Sequence, residues 1–412
     1  MIVNGIIAEY NPFHNGHQYH LERSRRETGA DYNVVVLSSN FTQRGEPAII
    51  DKFTRAKMAL ECGADLVIEL PVSHSAASAE FFAQGGVSLL HQLGVVDYLC
   101  FGSECGDIKL LQTFAKILLE EPKAYLEDLK SCLAAGHSYP VARNRALMDY
   151  APELAKHKDI LSSPNNILGI EYIKALMKLE SPIKPFTIFR AGAGYHDRFF
   201  ETEYCSALAI REALLSKRNA AGEAPASLLS LSAQMPKKAF RILSDVLSET
   251  PPITVSDFSE MLLYKLLMEQ EAGYDRYVDV SSDLSDHVRK NLKKYQGYAQ
   301  FCDLLKTKNM TYTRISRSLL NILLGATEPP AMPLYARVLG FRKDASPLLT
   351  EIKKRSSIPL ISKLADAGDI LTPEAYDVLR ENLRRESVYE SVAALKAGRT
   401  ARDEREIPII TI

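Results

Sequence analysis

Short apolar runs alternate with helical patterns through the first hundred residues, and this alternation restricts the fold more than any other feature. The strand-like runs lie at residues 3–8, 33–38, 65–71 and 95–101. The helical patterns lie at residues 17–28, 54–62 and 76–93. Parallel strands need a long crossover connection, usually a helix, so this order is typical of a parallel sheet with helices on both faces. We therefore predict an α/β fold whose first domain is Rossmann-like.

The remaining chain is mainly helical in its pattern. A helical stretch at 106–179 is followed by a late strand at 184–190 and a helix at 207–216. A small, polar stretch containing Pro and Gly at 217–225 is typical of a domain boundary. The chain has 412 residues, more than a single core of about 250–300 residues holds. We predict a first domain at 1–216, a mainly α-helical domain at 217–397 with few strand candidates, and a tail at 398–412 that is either an added strand or disordered.

Composition excludes several classes of protein. The net charge of -1 favours no particular partner for the chain as a whole. No apolar run approaches the roughly 20 residues that cross a membrane, and the N-terminus lacks the basic start of a signal peptide. The six cysteines form no CxxC pair, so we predict reduced thiols in a cytoplasmic protein without a structural metal.

Two histidines open the first predicted helix directly after the first strand. They belong to the segment His14-Asn15-Gly16-His17. A helix N-terminus offers unpaired N–H groups and partial positive charge, and residues three apart lie on one face there. We predict that His14 and His17 are catalytic and donate to phosphate oxygens, and that Gly16 leaves room for a base or ribose. The alternative is a pair of surface loop histidines. The segment resembles the HxGH signature of the adenylyl-transferring nucleotidyltransferase superfamily.

A second phosphate-binding element is predicted at the helix that starts near residue 207. Ser206 is placed to cap this helix, and Arg211 adds positive charge from the same turn. The segment resembles the superfamily's Ser-Ser/Thr-x-x-Ile-Arg signature, with Cys205 in place of the first serine. The alternative is an ordinary capped helix with a solvated arginine.

Polar loops follow the other predicted strands at the carboxyl edge of the sheet, where open α/β sheets bind ligands. After the second strand, Asn40, Gln43 and Arg44 are candidates to orient an acid substrate. Gly102 follows the fourth strand, where it lets the backbone approach an adenosine. Two amides, Asn165 and Asn166, start a helix, and Arg190 ends the late strand. For each loop the alternative is a connecting turn without a ligand.

Four segments together resemble the bacterial tRNA(Met) cytidine acetate ligases over essentially the whole chain. They are residues 8–17, 40–48, 164–169 and 190–197. The resemblance implies that ATP and acetate form acetyl-adenylate, and that the acetyl group passes to the wobble cytidine of elongator tRNA(Met) to give N4-acetylcytidine. The sequence departs from the usual pattern at Ser39, where glycine is expected, and at Phe189, where lysine is common.

The resemblance also implies an ATP site, with Mg²⁺ arriving on the ATP. Its residues are Ile7, Ala8, Glu9, Tyr10, Asn11, Pro12, Phe13, His14, Asn15, Gly16, His17, Gln18, Tyr19, His20, Gly102, Asn165, Asn166 and Arg190. Attack of a carboxylate on the α-phosphate needs alignment and charge neutralisation more than a protein nucleophile. The histidines, arginines and helix N–H groups of this set supply those needs.

A basic segment in the predicted helical domain suggests a nucleic-acid partner. Between residues 289 and 343 there are eleven basic and two acidic residues, a net charge of +9, in a chain whose total is -1. Tyr295, Tyr298, Tyr312 and Tyr335 are interleaved with them, as suits phosphate contacts and base stacking. The predicted tRNA contacts are Arg289, Lys290, Lys293, Lys294, Lys306, Lys308, Arg314 and Arg317. The alternative is a set of solvated helix faces.

Two other functions remain open from the sequence. A small-molecule adenylyltransferase would use the same histidine motif, but such enzymes are usually shorter and would leave the basic segment unexplained. An RNA-binding protein that keeps ATP as a structural ligand is the second, and the intact His14, Gly16 and His17 argue against it.

Overall fold

The computed structural model describes residues 1–190, 206–215 and 228–412. Its centre is one sheet with the strand order β5-β4-β1-β2-β3-β6-β7, and β8 pairs with β6. The strands are β1 Val3–Ala8, β2 Tyr32–Ser38, β3 Leu66–Leu70, β4 Tyr98–Ser103, β5 Lys184–Phe189, β6 Ala336–Phe341, β7 Leu360–Ile361 and β8 Ile410–Thr411. The pairs β1–β2, β2–β3, β1–β4 and β4–β5 are all parallel, which confirms the predicted α/β class.

The helices connect these strands and continue into the second half of the chain. They are α1 Asn15–Thr28, α2 Lys52–Glu61, α3 Val72–Ser75, α4 Ala79–Gln92, α5 Ile108–Glu120, α6 Lys123–Ala134, α7 Tyr139–Tyr150, α8 Pro164–Lys178, α9 Ala207–Leu215, α10 Lys237–Glu249, α11 Ser259–Met268, α12 Ser282–Asn291, α13 Tyr298–Leu305, α14 Tyr312–Leu324, α15 Ser346–Arg355, α16 Ala367–Ile370 and α17 Pro373–Ala397. In the described part of the chain, none of them is long and apolar enough to cross a membrane.

Apolar side chains of the helices cover both faces of the sheet. Parallel strands are nearly continuous hydrophobic runs, so both of their faces need to be buried. On one face, α4, α5 and α8 contribute residues such as Leu90, Phe114 and Ile173 to a shared core. On the other face, α1, α2 and α10 contribute Leu21, Leu60 and others. A third core forms where α11 to α14 and α17 pack together, and it also includes Phe41 and Val72 from the first half of the chain.

Two predicted boundaries are wrong. Strand β4 begins at Tyr98 rather than at residue 95. Val95 and Val96 are apolar because they are buried in the core, and they are not part of the strand. Val96 lies against Gly5 of β1. The predicted helix at 76–93 begins later, at Ala79 of α4, because the chain turns at residues 76–78 after the short helix α3.

Strand β6 was not predicted, because it lies within the segment expected to be helical. It pairs antiparallel with β3 and, together with β7 and β8, extends the parallel sheet with strands from the second half of the chain. Its short apolar run is interrupted by Arg337, whose charge is neutralised only by residues distant in sequence. The tail adds β8 parallel to β6, so of the two alternatives for residues 398–412 the added strand is correct.

Candidate functional site

An open cavity of about 280 Å³ lies at the carboxyl edge of the sheet, around the start of α1. The strand order explains its position, because β1 lies between β4 and β2 and its carboxyl end is therefore central. The predicted site residues that line the cavity are Ile7, Ala8, Glu9, Tyr10, Asn11, His14, Gly16, His17, Tyr19, His20, Gln43, Arg44, Gly102, Asn165, Arg190, Ser206 and Arg211. Loops after four different strands thus meet at one place.

His14 and His17 form a reciprocal cap at the N-terminus of α1. The ring Nδ1 of His14 accepts the main-chain N–H of Gly16 at 3.0 Å, and the ring Nδ1 of His17 accepts the main-chain N–H of His14 at 3.3 Å. The two rings stack with centroids 3.7 Å apart. Because a neutral imidazole that accepts through Nδ1 carries its proton on Nε2, both histidines retain one Nε2–H donor for a ligand. A side chain at Gly16 would meet the His14 ring, since an added Cβ would lie 2.9 Å from Cε1.

The surroundings keep these histidines neutral. Burial, followed by the positive charges of Arg190 and Arg211, lowers the pKa of His14 to about 3. Burial and neighbouring positive groups also hold the pKa of His17 well below its usual value. Burial and Arg190 lower the pKa of His20 to about 4. The site therefore offers neutral hydrogen-bond donors together with permanently charged arginines.

The start of α9 supplies the second predicted phosphate element. The Ser206 hydroxyl oxygen accepts the main-chain N–H of Ala209 at 3.1 Å, as a helix cap does. Arg211 donates from Nη1 to the main-chain oxygen of Asn11 at 2.7 Å, which fixes its guanidinium beside the α1 motif. Cys205 and residues 191–197 of the segment at 190–197 lie outside the described residues, as does the predicted boundary at 217–225.

On the β4–β5 side of the cavity, Asn165, Gly102 and Arg190 lie together. Arg190 Nη1 lies 3.4 Å from Asn165 Oδ1, and the aliphatic part of Arg190 covers Gly102. Glu104 orders this side, because its carboxylate accepts the main-chain N–H groups of Asn165 and Asn166 at 3.1 and 2.8 Å. Sequence analysis did not assign Glu104 a role; its position just after a strand end was the available signal.

On the β2 side, the loop at 39–51 brings Gln43 and Arg44 to the cavity. Arg55 of α2 holds this loop from behind. Its buried guanidinium donates to the main-chain oxygens of Glu9 and Ser39 at 2.6 and 2.5 Å. Sequence reasoning missed Arg55 because its acceptors are backbone atoms at the ends of β1 and β2, which no local pattern reveals.

Six predicted residues do not line the cavity: Pro12, Phe13, Asn15, Gln18, Asn40 and Asn166. Phe13 is fully buried in the core, and the Asn15 side chain donates to the main-chain oxygen of Ala233 at 2.8 Å. Asn40 Oδ1 accepts the main-chain N–H of Lys52 at 2.6 Å, and Asn166 Oδ1 accepts that of Cys105 at 3.1 Å. Asn15, Asn40 and Asn166 therefore hold the surrounding backbone in place.

A buried charge cluster lies behind the β2-side loop. Lys52 Nζ lies 2.6 Å from Glu69, 2.8 Å from Glu404 and 3.2 Å from Glu386, and none of its side chain is exposed. Arg337 also pairs with Glu69 and Glu404, at 3.0 and 2.5 Å. This cluster joins α2, β3, β6, α17 and the tail. Arg337, which contributed to the basic charge count, is therefore not on the surface.

Most of the predicted tRNA-contacting residues are exposed. These are Arg289, Lys290, Lys293, Lys294, Lys306, Lys308 and Arg314. Arg317 is mostly covered and pairs with Asp279 at 3.3 Å. Tyr298 and Tyr335 are buried, so the expectation that they stack on bases is wrong. Tyr298 instead donates its hydroxyl to the main-chain oxygen of Ser316 at 2.9 Å.

Comparison with known proteins agrees with this geometry. Residues 1–404 match the protein family described as HIGH Nucleotidyl Transferase. A tRNA(Met) cytidine acetate ligase from Acetivibrio thermocellus is 43% identical over 377 residues, which span 89% of each chain. This chain belongs to the tRNA(Met) cytidine acetate ligase family. Another member of the ligase family, from Clostridium acetobutylicum, is 42% identical and covers 93% of this chain and 97% of its own.

Solved structures of the ligase family share the whole fold. Thermotoga maritima TmcAL in its apo form superimposes with a TM-score of 0.92 at 31% identity, and all of both chains is covered. The same protein bound with alpha-thio ATP gives a TM-score of 0.90, also at 31% identity, over 100% of this chain and 99% of that one. The nucleotidyltransferase fold predicted for this ligase-family chain is thus confirmed. Among the residues described, no three His, Cys, Asp or Glu side chains converge in a metal-binding group.

Proposed function

We propose that this protein is an ATP-dependent tRNA(Met) cytidine acetate ligase. It activates acetate as acetyl-adenylate and transfers the acetyl group to the wobble cytidine of elongator tRNA(Met), forming N4-acetylcytidine. The observation that carries the proposal is the convergence of two neutral imidazoles with Arg211 and Arg190 at the N-terminus of α1. The printed names of its relatives support the choice of tRNA(Met), cytidine and acetate.

The first step needs no protein nucleophile. An acetate oxygen attacks the α-phosphorus of ATP, the bond to the bridging oxygen breaks, and pyrophosphate leaves. The Nε2–H groups of His14 and His17 and the N–H groups of α1 donate to oxygens that gain charge in the transition state. Arg211 and Ser206 neutralise and hold the departing phosphates from α9. Mg²⁺ arrives with ATP, held mostly by phosphate oxygens and water.

The two sides of the cavity match the two ends of acetyl-adenylate, which are the adenosine and the acetyl group. Asn165, Gly102 and Arg190 offer an amide, an open backbone and a flat cation, which suit the adenosine. Gln43 and Arg44 lie on the opposite, β2 side, so the acetyl group is directed there. Asn40 acts through the backbone of this loop.

The second half of the chain carries the exposed basic residues that we assign to tRNA binding. The exposed basic residues of α12 to α14 and their connections can contact several phosphates at once. We assign the ATP site to residues 1–216 and tRNA binding to residues 217–397. The five described cysteines are free thiols, which is compatible with work in the cytoplasm.

Purified protein incubated with ATP, labelled acetate and bulk bacterial tRNA tests this function. We expect ATP-dependent label in cytidine of tRNA(Met). Label found only in a small-molecule adenylate would indicate a small-molecule adenylyltransferase instead. Binding of tRNA without any label transfer would indicate an RNA-binding protein that does not catalyse the reaction.

A further inference from the structure

The cavity contains a carboxylate that has no chemical role in the proposed adenylation step. Glu9 directly follows β1 and is the only acidic residue among the described residues that line the cavity. Its Oε1 accepts the main-chain N–H of Gln43 at 2.8 Å. No other described residue forms a hydrogen bond or ion pair with this carboxylate, so Oε2 is available to a ligand.

The position of Glu9 places it on the tRNA side of the cavity. Through Gln43 it contacts the β2-side loop, and that loop continues to Gly45. Ser316 of α14 donates its hydroxyl to the Gly45 main-chain oxygen at 2.8 Å, and a Cβ on Gly45 would lie 2.4 Å from the main-chain nitrogen of Arg317. Two hydrogen bonds, one at each end of residues 43–45, therefore connect Glu9 to the basic helix α14.

The other titratable cavity residues are poorly suited to accept a proton. His14 and His17 already use Nδ1 as an acceptor and present Nε2–H donors. Arg44, Arg190 and Arg211 have no acceptor atom. Among the described residues that line the cavity, Glu9 is the one carboxylate, and the Gln43 N–H fixes its position on the tRNA side.

We propose that Glu9 is the general base of the acetyl-transfer step, an inference that rests on the proposed function. The exocyclic N4 amine of cytidine attacks the acetyl carbonyl carbon, forming a C–N bond. The bond from that carbon to the phosphate oxygen breaks, and AMP leaves with the electron pair. The amine loses one proton, which Glu9 takes on Oε2 and later releases to water. No oxidant or further reactant is needed.

Glu9→Gln tests this role because its side-chain oxygen can still accept the Gln43 N–H while it cannot take a proton. Adenylate formation is measured without tRNA as acetate-dependent exchange of labelled pyrophosphate into ATP. Acetyl transfer is measured in a single turnover with excess enzyme and tRNA(Met). Glu120→Gln is the matched control, since Glu120 is an exposed glutamate of α5 that does not line the cavity.

We expect Glu9→Gln to lose about 10²–10⁴-fold in transfer rate, the range of general-base catalysis, and to lose at least tenfold less in exchange than in transfer. Glu9→Asp should recover part of the transfer rate.

Two results would overturn the inference. A transfer rate within tenfold of the wild type would show that the proton leaves by another route. An equal loss of exchange and transfer would assign Glu9 to ATP or its Mg²⁺ instead. Failure of the proposed function is distinguishable from both, because the wild-type enzyme would then place no label in tRNA at all.

Discussion

The imidazole rings of His14 and His17 stack with their centroids 3.7 Å apart, and each accepts a main-chain N–H through Nδ1. This arrangement uses the acceptor side of both rings for the fold of α1. It leaves the donor side of both for a ligand. One short motif thus closes the helix N-terminus and equips it to bind phosphate.

Removal of either ring should abolish adenylate formation. We expect His14→Ala and His17→Ala each to lower acetate-dependent pyrophosphate exchange by about 10²–10³-fold, the effect of losing one donor to a developing negative charge. Filter binding should show that tRNA affinity is retained, because the basic residues lie on α12 to α14. If either variant kept full exchange activity, the catalytic assignment would be wrong.

The histidines should remain neutral across the physiological range. Because the pKa of His14 is lowered to about 3 and that of His20 to about 4, neither ring should titrate between pH 8 and pH 5. Protonation should begin only as the pH falls below about 5. Histidine ring NMR signals, assigned with the two alanine variants and His20→Gln, measure this directly. A midpoint near 6.5 for His14 would contradict the described burial.

Loss of Lys52 should destabilise the fold strongly. Lys52→Met leaves Glu69 and Glu404 paired with Arg337 and removes the ion pair of Glu386, and breaking a buried ion pair in this way costs about 3–5 kcal/mol. Urea unfolding followed by circular dichroism measures the change. The control is Lys116→Met, whose exposed pair with Glu120 should change the free energy of unfolding by less than about 1 kcal/mol.

Glu386 should make stability depend on pH. Burial, reinforced by Glu404 and Glu69 and opposed by Lys52, raises the pKa of Glu386 to about 7. A raised carboxyl pKa stabilises the fold fully below the unfolded value near 4.5, and this contribution is lost as the pH rises through 7. Glu386→Gln should therefore gain stability relative to the wild type between pH 5 and pH 8. Urea midpoints that differ by a constant amount at every pH would contradict this.

The lysines at the end of α12 should contribute to tRNA affinity. Lys293→Glu combined with Lys294→Glu should weaken tRNA binding by about tenfold or more and reduce the salt dependence, because each lost phosphate contact removes about one unit of slope. The matched control reverses two exposed lysines of the first domain, Lys116 and Lys123, to glutamate. If both double variants weakened tRNA binding equally, the affinity would depend on net charge and not on the position of Lys293 and Lys294.

Local patterns were sufficient to predict the strands of the first domain and the position of the histidine motif. Strand β1 and the start of α1 depend on residues close in sequence, so β-branched runs and the motif itself indicate them. The loops with Gly102, Asn165 and Arg190 could be assigned to one edge because parallel strands end on the same side. Glu104 and Arg55 were missed, since they act through backbone groups far along the chain.

The sequence by itself determined the α/β alternation, the HxGH motif and the excess of basic residues in the second half. Only the tertiary structure decided that β6 joins the sheet, that Arg337 is buried against Glu69 and Glu404, and that Glu9 faces the cavity beside the loop that contacts α14. The reason is physical. A charge is stable inside a protein only when its partners are assembled around it, and here those partners come from positions up to 335 residues apart, as with Glu69 and Glu404.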